Sequence, residues 1–444
     1  MRLCLLAALV GPLTAPAVPA QTETLTIDEA VRLSLGRAPG VAGALAAAAR
    51  AEAGLRDARA RRWPRLSLDG ALQRFEEPMI VAPLHSIELS QPPVFDQTLL
   101  QSSLLLSYTL LDGGQRRGRI GQAAALNSAA EAGADGATQS VIATTVQAFS
   151  DVLVARDGLD AQLRRLGALL AEAERVARFL AEGRAARVES LRAEAALARA
   201  RADSSHAAAQ LQVAESGLAR LLGVEVAAVR SRSLAALRPT RAPPPTDAEL
   251  VTAAHAGNAA VAAAHRRLEA ATAELRVARG EWIPTLRLEG RTITYGSGEG
   301  SYSTEWQAGV RLSYPLFTGG SRGAGVARAR AGVAQAEAEL REARDALGGG
   351  LDLAQSRLAD SRSRVAALET ALVHLTEVAR TELLLLEQGA GTQAEYLRSE
   401  ADLAGARAEL AAARGAEIVA VVELERLTGR LLPGRLALIV ESER

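Results

Sequence analysis

The chain has 444 residues, and its 51 basic and 51 acidic side chains cancel. A balanced charge offers no basic face for nucleic acid, so no nucleic-acid partner is expected. Hydrophobic residues reach 48% but aromatics only 3%, with alanine abundant, which disfavours a core of bulky side chains and suits closely packed helices.

Residues 1–20, MRLCLLAALVGPLTAPAVPA, read as a secretory signal peptide, with Arg2, an apolar stretch from Leu3 to Val10 and a cleavage site at Val18-Pro19-Ala20. The apolar run is too short for a membrane span. The only cysteine, Cys4, falls inside it, leaving no disulfide, thiol nucleophile or cysteine metal ligand further on. No later segment is a long uninterrupted apolar helix, so a membrane crossing has to use β-strands.

From there the chain is written twice. A first repeat is expected over residues 21–237, a Pro-rich linker over 238–245, a second repeat over 246–429 and a C-terminal tail over 430–444. Trp63-Pro64-Arg65-Leu66-Ser67-Leu68 is echoed by Trp282-Ile283-Pro284-Thr285-Leu286-Arg287-Leu288, with the prolines 220 positions apart. The pairs Gly113-Gly114 and Gly319-Gly320, Gly183 and Gly389, Leu191 and Leu397, Glu194 and Glu400, and Gly223 and Gly429 are all 206 apart. The drop from 220 to 206 puts about 14 extra residues in the first copy, around Glu76 to Gln97, where Pro78, Pro83, Pro92 and Pro93 predict an outward loop.

Within each repeat a helix opens near Asp28 or Asp247 and stops before the proline that follows Trp63 or Trp282. Two alternating stretches come next. In the second copy Leu286, Leu288 and Gly290, then Trp306, Ala308, Val310, Leu312 and Tyr314, interleave with polar residues, which is the period of a two-faced strand. Ten of the thirteen aromatics fall in these hairpins. Strands of roughly ten residues with aromatics near their ends suit an outer-membrane barrel, the competing reading being a soluble sandwich. Two hairpins make four strands, too few to close a barrel alone, so several chains must share one. Beyond each Gly-Gly pair, 69 residues reach the next glycine, Gly183 or Gly389. As helix that is roughly 100 Å, matched by a return helix stacked end to end with the opening one.

No catalytic constellation stands out. His85, His206, His255, His265 and His374 include no i,i+4 pair, so no metal, cofactor or enzymatic site is expected. GGSRGAG lacks the Gly-Lys-Ser/Thr of a phosphate loop.

The joins, prolines and repeats together resemble the TolC-like outer-membrane efflux protein family, from Leu25 to about Leu432. LTIDEAVRLSLGRAPGV is similar to that family's opening helix, broken at Ala38-Pro39, and Tyr314-Pro315-Leu316-Phe317-Thr318-Gly319-Gly320 to its strand-to-helix signature. The resemblance implies an α+β, mainly α-helical fold. Duplicated long-helix hairpins would form an α-barrel in the periplasm, and the two β-hairpins would add four strands to a shared trimeric barrel in the outer membrane. It implies a passive exit duct of a tripartite efflux or type I secretion system, a homotrimer working with a periplasmic adaptor and an inner-membrane pump and embedded in outer-membrane lipid. A pore-less periplasmic coiled-coil scaffold is the alternative. In that frame Gly113, Gly114, Gly319 and Gly320 are the strand-to-helix joins, and Gly183 and Gly389 the adaptor-docking tips. Glu189, Arg192, Glu395 and Arg398 are the aperture residues. Each Glu and Arg, three apart on one helix face, are placed to pair, and a solvated ion pair without a gating role is the competing reading. The Arg at the second position departs from the family's two-acid pattern.

Overall fold

The structure, a computed structural model, describes residues 24–83, 93–240 and 247–443. The expected signal peptide, residues 84–92 of the proposed outward loop with His85 among them, and residues 241–245 of the expected linker lie outside them.

The first repeat opens with α1 (Ile27–Arg37) and α2 (Pro39–Ala60), separated at Ala38, which is extended. Pro39 explains the break: it disfavours a helical Ala38, and its missing N–H costs nothing at a first helical position. The hairpin β1 (Arg65–Ile80) and β2 (Phe95–Leu111) follows. Next come α3 (Gln115–Ala181, 67 residues), α4 (Arg187–Leu222) and the short α5 (Val226–Arg230). After β3 (Ala236–Pro239), the second repeat supplies α6 (Asp247–Gly257) and α7 (Ala259–Gly280), of the same 11 and 22 residues as α1 and α2. Here Asn258 makes the break, its side-chain oxygen accepting from the N–H groups of Ala260 and Val261. The hairpin β4 (Thr285–Ser297) and β5 (Tyr302–Ser313) leads to α8 (Ser321–Glu387), again 67 residues, then α9 (Gln393–Leu427), α10 (Leu436–Ile439) and β6 (Val440–Glu443).

The four hairpin strands form one antiparallel sheet in the order β1-β2-β4-β5. Arg65 pairs with Ser107 and Thr285 with Ser313, so the two hairpins keep one register under the repeat offsets. Leu66 and Leu106, Leu68 and Leu104, Tyr108 and Leu288, and Leu288 and Val310 are opposite one another and share an apolar face that is open, Trp306 being 78% exposed. The other face carries the polar positions, with Arg311 paired to Glu289 at 2.9 Å and Arg291 donating to the Ser103 hydroxyl. The strands are longer than the ten residues expected. The first hairpin absorbs much of its insertion as strand: Glu76 to Ile80 belong to β1, and Pro78 falls at a register irregularity between Arg74 and Met79, where a missing donor is tolerated.

Below the sheet, α2 and α4 pack on one flank of α3, while α7 and α9 lie between α3 and α8 and touch both. The largest core sits halfway down the helices, where Phe149, Ile142 and Val146 of α3 meet Ile27, Leu218, Ile418, Leu237, Leu436 and Val440. That core revises the expected linker and tail. Leu237 and Val440 are buried in it, and β3 pairs with β6, so residues 238–239 are strand and the tail folds back upon them. A second core joins Leu347 and Leu351 of α8 to Ala254, Val261, Leu424 and Leu427.

Candidate functional site

At the upper end of the helical wall, each strand-to-helix join places two glycines in left-handed backbone. Gly113 and Gly114 have φ of 63° and 81°, Gly319 and Gly320 of 58° and 85°, conformations that a side chain disfavours. Gly114 and Gly320 are the N-caps of α3 and α8. The surroundings of the two joins differ. A Cβ on Gly113 would collide with the Gly280 carbonyl oxygen and lie 2.8 Å from Ile283, whereas nothing among the described residues comes within 4 Å of one on Gly319.

The chemistry of the joins differs too. In the first, Asp112 accepts from the N–H groups of Gly114 (3.1 Å) and Arg116 (2.9 Å), an anion on a helix N-terminus, and lies 3.7 Å from the Arg116 guanidinium. Arg116 also stands over the Tyr108 ring at 5.8 Å. In the second, Thr318 occupies the place of Asp112. Arg322, 206 positions after Arg116, lies between the rings of Trp282 (5.0 Å) and Tyr314 (5.1 Å).

At the lower end, Gly183 (φ 73°) and Gly389 (φ 75°) turn the long helices into their return helices. The Arg184 N–H donates to the Phe179 carbonyl at 2.7 Å and the Ala390 N–H to the Leu385 carbonyl at 2.9 Å, the wide hydrogen bond of a glycine-terminated helix. Immediately beyond, the structure corrects the expected Glu–Arg pairs. Glu189 accepts from the Ala186 N–H at 3.1 Å, and Glu395 from the N–H (3.1 Å) and hydroxyl (2.7 Å) of Thr392, whose own oxygen accepts from the Glu395 N–H. Glu395 and Thr392 close a capping box at the start of α9. Glu189 supplies only the carboxylate half at the start of α4, because the methyl of Ala186 offers no acceptor in return. Arg192 and Arg398 are exposed, and among the described residues neither reaches a carboxylate. The Thr392 hydroxyl and then its N–H hold the Glu395 carboxyl below the usual carboxylate range.

Sequence reasoning missed the buried group behind the second tip. Glu172 of α3, 4% exposed, accepts from Arg175 through both oxygens (2.8 and 3.0 Å) and from the Gln393 amide of α9 at 3.1 Å. Tyr396 beside it is buried, and its hydroxyl is pushed up to about 12 by that burial, then by Glu400 and Glu172. The i,i+3 spacing of Glu172 and Arg175 recurs across the helices, so nothing marked this pair for a contact 221 positions away. Among the described residues no cluster of three His, Cys, Asp or Glu could hold a metal, and no helix is long and apolar enough to cross a membrane.

The chain belongs to the outer membrane efflux protein family, whose model matches residues 30–224 and 250–430, one block in each repeat. It is 29% identical over 403 residues to protein CyaE of Bordetella pertussis, covering 87% of this chain and 80% of that one. Its fold is that of the outer membrane protein VceC of Vibrio cholerae (TM-score 0.77, 18% identity, 91% of this chain and 96% of that one). The Campylobacter jejuni CmeC outer membrane channel is also similar (TM-score 0.76, 14% identity, 97% and 94%). The protein is thus an outer-membrane exit duct for efflux or secretion, with its helical wall in the periplasm, and the pore-less scaffold is set aside.

Proposed function

We propose that the working duct is a head-to-tail ring of three copies. One contrast within the chain carries this reading: what the first repeat has filled, the second leaves open. The outer flank of β2 is covered by β4, and the seat of Gly113 by Gly280 and Ile283, whereas the β5 edge is unpaired and the seat of Gly319 empty. Likewise α7 and α9 pack on both long helices, but α2 and α4 pack on α3 and not on α8. The contact between the repeats is therefore a template for one between copies, in which β5 and α8 receive β1, α2 and α4 of the next molecule. Such a contact is heterologous and closes into a ring. Two copies would give eight strands, an interior that side chains alone fill, while three give twelve and leave a passage.

In this ring the tips at Gly183 and Gly389 face the inner membrane and dock a periplasmic adaptor, and an inner-membrane pump supplies the energy. Glu189, Arg192, Glu395 and Arg398 line the aperture, and the chain itself performs no catalysis. Detergent-purified protein should have the mass of a trimer and conduct ions across a planar bilayer. A monomer or dimer without conductance would sink the proposal.

A further inference from the structure

We propose that Arg322 is the cationic centre of a phospholipid-headgroup site at the periplasmic rim of the membrane-embedded hairpins. Its ligand is the phosphodiester of a lipid whose apolar part lies on the exposed face of the sheet. The inference rests on the reading that the hairpins enter the outer membrane.

Position comes first. The Arg322 guanidinium lies 5.1 Å from the Tyr314 ring, one residue beyond the end of β5 and next in the alternating series Trp306, Val310, Leu312. In the sister join Arg116 stands over Tyr108, which is directly opposite Leu288 on the apolar face of the sheet. Both arginines therefore sit at the helix-side border of the apolar band. In a membrane protein that is the depth of the headgroups, where aromatic rings and arginines meet phosphate.

Charge comes second. Arg322 is only 7% exposed. Its Nη2 donates to the Pro315 carbonyl and its Nε to the Thr318 hydroxyl at 3.4 Å, both neutral acceptors, while Nη1 is buried and has no acceptor among the described residues. Among the described residues no carboxylate lies within ion-pair distance of it. The sister join shows what is missing, because Asp112 neutralises Arg116 there and Thr318 replaces that aspartate. A guanidinium withdrawn from water without a counter-ion is costly, and an incoming anion removes that cost. The planar fork of arginine suits a phosphodiester in particular.

The rim around the cation is apolar and open. Leu316 and Phe317, in the short segment between β5 and α8, are 87% and 90% exposed in a single copy, and Trp282 and Ile283 are exposed beside them. Their counterparts Leu110 and Leu111, which already have β4 beside them, remain 45% and 51% exposed, so the rim stays open when the next copy docks. A free anion has no use for such a rim, whereas the glycerol and upper acyl carbons of a lipid do. Phosphate and apolar contact together select a phospholipid.

The test uses the full chain in maltoside micelles, which contain no phosphate, titrated with dibrominated phosphatidylglycerol or dibrominated diacylglycerol, whose bromines quench tryptophan. One form keeps only Trp282 (Trp63→Phe, Trp306→Phe) and reports on the site. Another keeps only Trp306 (Trp63→Phe, Trp282→Phe) and reports on the sheet face. Trp282 should be half-quenched at a mole fraction of phosphatidylglycerol about fivefold lower than of diacylglycerol, the effect of one arginine at a lipid surface. Trp306 should be quenched equally by both. Thr318→Asp, which restores the internal carboxylate of the sister join, should bring the two Trp282 curves together without loss of the trimer. Equal Trp282 curves in the parent form, or a phosphatidylglycerol preference that survives Thr318→Asp, would overturn the site. So would competition by inorganic phosphate at millimolar concentration, which would make it a free-anion site. No quenching of Trp306 by either lipid would instead overturn the membrane reading itself.

Discussion

At Gly389 and Arg398 the proposed docking and aperture roles can be separated. Gly389 has open space around it, so a bulky side chain meets no neighbour there. Its left-handed backbone costs any side chain about 1–2 kcal/mol, a strain that Gly389→Ala shares and thereby controls for. Gly389→Trp should reduce export in cells severalfold while leaving trimer assembly and bilayer conductance unchanged, and full export would remove the docking role. The neighbouring charges act through another observable. Glu395 is a cap, its carboxyl lowered by Thr392, so it remains ionised as pH falls to the ordinary carboxylate value. The capping contribution follows the same sign: it is present above the unfolded pKa and lost as pH drops through the lower folded one. Arg398, exposed and without a carboxylate partner, is the freer charge. Arg398→Glu should therefore shift ion selectivity towards cations, by a similar amount at pH 5 and pH 7. Unchanged reversal potentials would place Arg398 away from the conducting path.

Among the elements, α8 has the least expected composition, with Gly348-Gly349-Gly350 in the middle of a 67-residue helix. Gly348 and Gly349 have nothing within 4 Å of an added Cβ, while Gly350 meets Leu427 at 3.4 Å. Glycine inside a helix costs about 0.5–1 kcal/mol relative to alanine. Gly348→Ala with Gly349→Ala should therefore stabilise the chain by about 1–2 kcal/mol in chemical denaturation, and a loss of stability would mean that another chain approaches this face closely. The elements also show what a sequence displays and what it hides. Period-two alternation announced the hairpins, and constant offsets announced the equal helices and glycine turns, because those signals are local or repeated. The pairing of β3 with β6 was hidden, since four-residue strands carry no periodicity and their partners lie 200 positions apart. The contact from Gln393 to Glu172 was hidden for the same reason. At the tips the residues were found but their bonding was not. Glu189 and Arg192 suit a helix-face pair by spacing, yet the orphan N–H groups of the helix start compete for the same carboxylate and take it.

For the whole molecule, the internal repeat fixes the register expected between copies. Leu106 of β2 is opposite Gly290 of β4. Moved by the two repeat offsets, that pair becomes Leu312 of one copy opposite Gly70 of the next. The only native cysteine is Cys4, so introduced thiols report without interference from the rest of the chain. Oxidised Leu312→Cys with Gly70→Cys should give a covalent species of trimer mass in denaturing gels, and neither single variant should. Efficient cross-linking of Leu312→Cys to Leu68→Cys or Leu72→Cys instead would mean that the register between copies is not the one the chain carries within itself.

The equal 67-residue lengths of α3 and α8 set how far the helical wall reaches below the sheet. Inserting seven residues in α3 alone would drive one tip about 10 Å past the other. The lower rim stays level only if α4, α8 and α9 take matching insertions. Gains and losses of length in this wall must come as coordinated sets, whereas the first hairpin carries about 14 residues that the second lacks, because strand ends far from the wall have nothing to align with. A chimera that alters the reach of this duct has to exchange both helical hairpins together.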